Sequence, residues 1–127
     1  MSEIKALIKL CKKNLSLKGE IFIFTLDPYK NEIPTFKKMH EKLQQSLSRD
    51  KKIVNLIMNT NKSIIKKFIY KVKIKKQKYL KMVKDRYIST LLDFTLNDIH
   101  IGCEEIKLKF KNEIKFRDKL KCIIIKK

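Results

Sequence analysis

The sequence predicts a mainly α-helical protein, in which a helical bundle body is followed by a small C-terminal β meander, an α+β arrangement. Two observations lead to this prediction. Apolar residues recur at helical spacing through most of the first hundred residues, and after Gly102 they recur at every second position. We therefore expect a helical domain over residues 1–100 and a β appendage over residues 101–127.

The first part of the chain predicts two helices with an extended segment between them. Residues 2–16 carry apolar side chains at helical spacing, before a break at Lys18-Gly19. Residues 20–26 are β-branched and aromatic and are followed by Asp27-Pro28, which favours a short strand or an extended segment packed under helices. A second helix is expected over residues 35–48, where Pro34-Thr35 can open it.

The middle of the chain predicts two more helices. Asp50 can cap a long helix over residues 50–76, which carries an apolar stripe at helical spacing. A strand is the second interpretation for residues 68–75, because apolar side chains alternate there with lysines. We prefer the helix because no turn signal bounds this run. The last helix is expected over residues 79–96.

The C-terminal region predicts the β meander. Apolar and polar side chains alternate over residues 106–110 and again over residues 114–116, and an apolar run over residues 120–125 closes the chain. Polar residues at 111–112 and 117–119 separate these three runs. We therefore expect three short strands that are joined by two turns.

The most unusual feature of the composition is its positive charge. The formal net charge is +19, from 32 Lys and Arg against 13 Asp and Glu, and the stretch from Lys62 to Arg86 has eleven basic residues and a single acid, Asp85. Only three of the cations are arginines, the residue suited to bidentate contacts with phosphates and bases. This charge favours a polyanion or an acidic protein as partner. Lysine-rich composition also arises from AT-rich coding sequence, in which case these lysines are solvated surface without a binding role.

The sequence favours a protein that is not an enzyme. It contains no glycine-rich phosphate loop and no HExxH or GxSxG motif, and His40 and His100 stand alone. Cys11, Cys103 and Cys122 are widely spaced, so we expect reduced thiols and no catalytic residue, metal site or cofactor. No apolar run is long enough to span a bilayer and no signal peptide is evident, which favours the nucleus or the cytoplasm.

Residues 61–71, NKSIIKKFIYK, resemble the central helix of a GINS subunit of the first "partner of Sld five" type, with its Asn-Lys pair, apolar residues and Tyr at similar spacing. The expected order of helices is similar to that family, and so are the alternating segments from Glu105 onwards. The chain departs from the family at Thr60, where an Arg is usual, and it has fewer arginines along this segment.

The resemblance implies a scaffold subunit of a nuclear DNA replication complex. Such a subunit is one quarter of a heterotetramer that supports the replicative helicase. The resemblance implies a partner interface made of the following residues: Asn61, Lys62, Ile65, Phe68, Ile69, Tyr70, Ile106, Leu108 and Phe110.

The alternative is a small basic structural RNA-binding protein of a ribosome or another ribonucleoprotein. Its phosphate contacts would be made by the lysines of the basic stretch: Lys66, Lys67, Lys71, Lys73, Lys75, Lys76 and Lys78. A third hypothesis, a chromatin or viral DNA compactor, uses the same lysines and predicts self-association. Binding to phosphates should weaken steeply with salt, whereas a scaffold should stay assembled.

Overall fold

The computed structural model describes residues 2–127 and has an α+β fold with one three-stranded antiparallel sheet. The strand order is β1-β3-β2, so β3 is the central strand and β1 and β2 are the edges. The elements follow one another as α1 (Ser2–Asn14), β1 (Glu20–Leu26), α2 (Lys37–Thr60), β2 (Ser63–Lys75), α3 (Lys76–Lys84), a 3-10 turn (Ser89–Leu91), α4 (Leu96–Lys109) and β3 (Glu113–Lys126).

The predicted fold class, a helical bundle followed by a β meander, is wrong. The three strands come from the beginning, the middle and the end of the chain, and together they form a single sheet. α1 and β1 lie where the sequence pattern places a helix and an extended segment. The differences begin in the middle of the chain.

The long helix expected over residues 50–76 is wrong beyond Thr60. α2 runs without a break from Lys37 to Thr60, so the two helices expected over residues 35–48 and from residue 50 onwards are one helix, and Asp50 does not cap a new helix. The strand β2, Ser63–Lys75, follows α2. This segment has five β-branched apolar residues that alternate in part with lysines, which suits a pleated strand. Its pairing partner, β3, lies about fifty residues further along the chain, and a local pattern does not show it.

The expected helix over residues 79–96 is also wrong in its second half. α3 ends at Lys84, where the Asp85 N–H still donates to the Lys81 carbonyl and Arg86 adopts a left-handed backbone with φ of 54°. A left-handed residue ends a helix because its backbone no longer continues the helical hydrogen bonds.

The C-terminal meander is replaced by a helix and one long strand. Thr95 caps α4 in a capping box, in which the Thr95 hydroxyl accepts from the Asp98 N–H at 3.1 Å and the Thr95 N–H donates to the Asp98 carboxylate at 3.2 Å. β3 then runs from Glu113 to Lys126 through residues 117–119, where a turn was expected. Those residues include neither glycine nor proline, so nothing interrupts the strand.

The chain forms two compact units, and each is assembled from separate segments. Residues 2–30, 47–69 and 119–127 form unit 1, and residues 31–46 and 70–118 form unit 2. In unit 1, β1 pairs with β3 in a register that sets Ile21 opposite Ile125. The core of unit 1 lies between the sheet and the helices α1 and α2, and its buried members are Ile8, Val54, Ile57, Ile123 and Ile125.

Unit 2 has its own core around α3 and α4. Its buried members are Phe36, Met39, Tyr79, Leu80, Val83, Leu91, Ile99, Cys103, Ile106 and Ile114. Tyr79 is 1% exposed, and its hydroxyl donates to the Pro34 carbonyl at 2.5 Å and lies 3.0 Å from the Tyr87 hydroxyl. Burial, followed by the neighbouring Tyr87, raises the pKa of Tyr79, so this phenol stays protonated and remains a donor.

Tyr79→Phe should lower the free energy of unfolding by about 1–2 kcal/mol, because the buried Pro34 carbonyl loses its donor. Urea unfolding followed by circular dichroism measures this difference. Tyr70→Phe is the matched control, since the Tyr70 ring is 72% exposed and its change should leave the midpoint in place. Equal midpoints for the wild type and Tyr79→Phe would contradict the role given to this hydroxyl.

Candidate nucleic-acid interface

The sheet of unit 1 has one covered and one uncovered face. Successive side chains of a strand point to opposite faces, so Ile21 and Ile23 of β1 share a face with Ile123 and Ile125 of β3. This face packs in the core of unit 1, and Ile65 of β2 packs against the same cluster. The alternate residues of the three strands therefore form the other face.

That second face carries apolar side chains that remain in contact with solvent. It consists of Phe22 and Phe24 of β1, Ile64 and Phe68 of β2, and Cys122 and Ile124 of β3, and we call it the open face. The exposed fractions are 54% for Phe22, 63% for Phe24, 52% for Ile64 and 48% for Phe68. A group of exposed apolar residues of this kind is typical of a binding surface.

Two rings of the open face lie close together across the central strand. The ring centroids of Phe24 and Phe68 are 6.3 Å apart and the ring planes are tilted by 44°. Phe24 is opposite Cys122 in the register of β1 and β3. This arrangement accounts for the burial of Cys122, which is 2% exposed although it belongs to the open face.

The sequence pattern did not indicate Phe22, Phe24 and Ile64 as functional candidates. Most residues of 20–26 are apolar on both sides of the strand, and this pattern led us to expect a short strand or an extended segment packed under helices. In the structure only the isoleucines of β1 face the core. The contrast between Ile21 and Ile23 on one side and two phenylalanines on the other is the signal that was available in the sequence.

Lysines accompany the apolar residues on β2. Lys66 is exposed and lies between Ile64 and Phe68 on the open face, and Lys67 is exposed on the opposite side of the strand. Because β2 is an edge strand, lysines here also oppose pairing with another sheet. Both side chains are exposed, and the phosphate contacts expected of Lys66 and Lys67 stay a prediction.

In unit 2, β2 contributes three further exposed lysines, Lys71, Lys73 and Lys75. Lys73 lies 3.6 Å from the Glu113 carboxylate. Two of these lysines line a shallow depression of about 340 Å³, whose lining is completed by Glu32, Val72, Lys115, Phe116 and Arg117. The Arg117 guanidinium donates to Glu32 at 3.0 Å, so four cations face one carboxylate in this depression.

A second basic depression lies in unit 1 along α1. It measures about 340 Å³ and is lined by Lys5, Ile8, Lys9, Lys12, Thr60 and Asn61. Lys12 donates to the Asn61 side chain at 3.0 Å. The three lysines recur four and three residues apart, which places them along one side of the helix. These lysines were not among the predicted phosphate contacts, although their spacing is visible in the sequence.

The residues of the expected partner interface do not form a single surface. In unit 1, Phe68 belongs to the open face, Ile65 packs against the core, and Ile69 is 61% exposed on the other side of β2. Lys62 is exposed, and the Asn61 amide donates to the Ile57 carbonyl at 3.0 Å, where it satisfies the end of α2.

In unit 2, Ile106 is completely buried in the core and Phe110 packs against that core. Leu108 is 90% exposed on α4, and Tyr70 is 72% exposed on β2. The expected phosphate-contacting residues Lys76 and Lys78 belong to α3. Lys78 is exposed, whereas the Lys76 ammonium donates to the carbonyls of residues 107 and 110 at 3.3 and 3.2 Å.

Over residues 2–127, no three His, Cys, Asp or Glu side chains group in a way that would hold a metal ion. Within the same residues no helix has the length and apolar character needed to cross a bilayer. Neither a protein-family model, nor a curated protein, nor a solved structure matches this chain.

Proposed function

We propose that the protein binds nucleic acid without catalysing a reaction, as a small basic structural component of a nucleic-acid–protein complex. The observation that carries this proposal is the row of exposed lysines on the part of β2 in unit 2, Lys71, Lys73 and Lys75, which recur at every second position and so lie on one side of the strand. β2 contains no acidic residue, and its lysines add to a net charge of +19. Cations arranged in this way release counterions from a phosphate backbone, which supplies most of the affinity of non-specific binding.

The kind of cation supports contacts with phosphates more than readout of base edges. Lysine is a compact point charge, whereas the bidentate contacts that read guanine usually come from arginine. β2 contains lysines and no arginine. We therefore expect binding that depends little on nucleotide sequence and strongly on salt.

A scaffold subunit of a GINS-type replication complex is the second candidate function. The open face favours it, because exposed apolar residues also mark surfaces that another protein covers. The segment that carries the resemblance, NKSIIKKFIYK, begins directly after α2 and forms the connection to β2 and the first part of that strand instead of a central helix. A scaffold should be recovered with its protein partners after nuclease digestion and a wash at high salt.

The proposal is tested by changing Lys71, Lys73 and Lys75 together to glutamine. Binding of a fluorescent oligonucleotide, measured by anisotropy between about 50 and 200 mM salt, gives the slope of log affinity against log salt. We expect the slope to fall by about one unit for each lost phosphate contact and the affinity at the higher salt to fall at least tenfold.

The matched control changes three lysines that are each paired with a carboxylate: Lys42 with Asp93, Lys81 with Asp85, and Lys107 with Glu104. Replacing these by glutamine removes the same total charge from the protein. The slope should then change much less than in the β2 variant. Equal effects of the two variants would contradict a role for β2, and failure of the wild-type protein to bind any oligonucleotide at low salt would reject the proposed function.

A further inference from the structure

We infer that the open face binds unpaired bases, so that the ligand is single-stranded nucleic acid. This inference rests on the proposed function and specifies its ligand. Lysines explain affinity for any phosphate backbone, but they do not explain why Phe22, Phe24 and Phe68 remain half exposed next to them. Bases that are not paired or stacked present flat apolar surfaces, and these suit exposed aromatic rings.

The geometry of the open face suits stacking on its rings. Phe22 and Phe24 alternate on β1, which sets them about 7 Å apart on the same face. The rings of Phe24 and Phe68 are tilted by 44° with centroids 6.3 Å apart, so they do not cover one another face to face. The rings together therefore present surface on both edge strands of the sheet.

Covering the central strand does not by itself explain these rings. Cys122 and Ile124 of the central strand are only 2% and 6% exposed, so this strand is covered while the rings still have exposed surface. Each phenylalanine nevertheless leaves about half or more of its surface in water. A ligand that covers the rings would bury this remaining area, and the surrounding charges indicate its chemistry.

The charge of the open face favours a polyanion as that ligand, and the exposed rings favour a single strand. Lys66 lies on the open face between Ile64 and Phe68, and Lys126 lies at the end of the same face. Glu20, the one acidic residue of β1, lies on the same face beside Phe22, and it is opposite Lys126 in the register of β1 and β3. A double helix hides its bases within the stack, so it offers phosphates to the lysines and nothing to the phenyl rings.

The experiment compares a single strand with a duplex on the full chain. The probes are an oligothymidylate and a blunt DNA duplex of the same length, each binding to the wild type and to a Phe24→Leu/Phe68→Leu variant. Leucine keeps an apolar side chain at these exposed positions and removes the aromatic face. We expect the variant to lose at least tenfold in affinity for the single strand, with an unchanged duplex affinity and an unchanged salt slope.

Two further variants sharpen the result. Phe24→Tyr/Phe68→Tyr keeps both rings, so it should keep the single-strand affinity of the wild type. Leu108→Ala removes a 90% exposed apolar side chain from α4 and should change neither affinity. An oligonucleotide that contains 2-aminopurine should lose fluorescence on binding to the wild type, because the base stacks, and should lose much less with the leucine variant.

The outcomes separate this inference from the proposed function. Equal affinity of the leucine variant and the wild type for the single strand, or a tyrosine variant as weak as the leucine variant, would overturn the inference. Duplex binding that depends on the β2 lysines would then leave the proposed function standing. The inference would also be overturned if the wild type bound a partner protein through Phe24 and Phe68 while the leucine and tyrosine variants both kept the single-strand affinity of the wild type.

Discussion

Replacing Lys121 with methionine is expected to lower the free energy of unfolding by about 3 kcal/mol, because it leaves the Asp27 carboxylate buried without its cation. The Lys121 ammonium lies 3.6 Å from Asp27, and both side chains are 9% exposed. The ammonium also lies 4.4 Å from the centre of the Tyr29 ring. Asp27 keeps the N–H groups of residues 29 and 30 as donors, at 2.9 and 3.3 Å. Because these two hydrogen bonds remain, we expect the loss in the free energy of unfolding to fall at the lower end of the range for breaking a buried ion pair.

A double-mutant cycle measures the interaction between the two residues. The variants are Asp27→Asn, Lys121→Met and the pair of changes together, each unfolded in urea. We expect the double variant to be more stable than the sum of the single changes predicts, because no uncompensated charge is left. Lys81→Met is the control, since Lys81 forms an exposed ion pair with Asp85 at 2.7 Å and should have little effect. If the effects of the two single changes on the free energy of unfolding simply add in the double variant, the two residues are not coupled.

The carboxyl group of Asp27 also makes the free energy of unfolding depend on pH in acid. Burial on its own raises the pKa of Asp27, but the N–H groups of Tyr29 and Lys30 and the Lys121 ammonium outweigh burial and hold the pKa below its ordinary value of 3.8. A lowered pKa stabilises the folded state above pH 3.8, and this contribution is lost as the pH falls through the folded pKa. The wild type should thus lose stability below about pH 4 more steeply than Asp27→Asn.

Gly102→Ala is expected to lower the free energy of unfolding by about 2 kcal/mol, although alanine is the better helix former. A Cβ atom at position 102 of α4 would lie 2.5–2.6 Å from three ring atoms of Phe36, which is closer than carbon atoms that are not bonded to each other can lie without strain. Phe36 is 3% exposed and its ring lies 5.8 Å from that of Phe94, so it has little room to move. Thermal and urea unfolding both report the change.

Reducing the ring tests whether this contact is the cause. In a Phe36→Leu background the added methyl group has space, so Gly102→Ala should cost much less there than in the wild type. Asn97→Ala, an exposed position in the first turn of α4, controls for helix propensity and should be nearly neutral. If Gly102→Ala stabilises the protein, the close approach of Phe36 is not a packing constraint.

Local patterns in the sequence were sufficient for the first two elements. α1 has a regular apolar stripe and β1 is β-branched and aromatic, and both elements lie where these patterns indicate. Lys18-Gly19 separates them, and Asp27-Pro28 follows β1. Such signals act between residues that are near one another in the chain, which is why they can be interpreted without a structure.

Local patterns were insufficient for β2, α4 and β3. Residues 63–75 have both helical and strand periodicity, and the choice between them depends on hydrogen bonds to β3. Residues 106–109 alternate like a strand, yet the capping box at Thr95 begins a helix that continues to Lys109. The burial of Ile106 in the core of unit 2 stabilises that helix.

The sequence by itself determined the charge of this protein, the concentration of lysines between residues 62 and 86, and the positions of α1 and β1. Only the tertiary structure decided that five of these lysines occupy an edge strand and that Phe22, Phe24 and Phe68 share an open face. The reason is physical. Charge and local periodicity belong to the chain, whereas strand pairing and the covering of one sheet face depend on contacts between residues that are far apart in sequence.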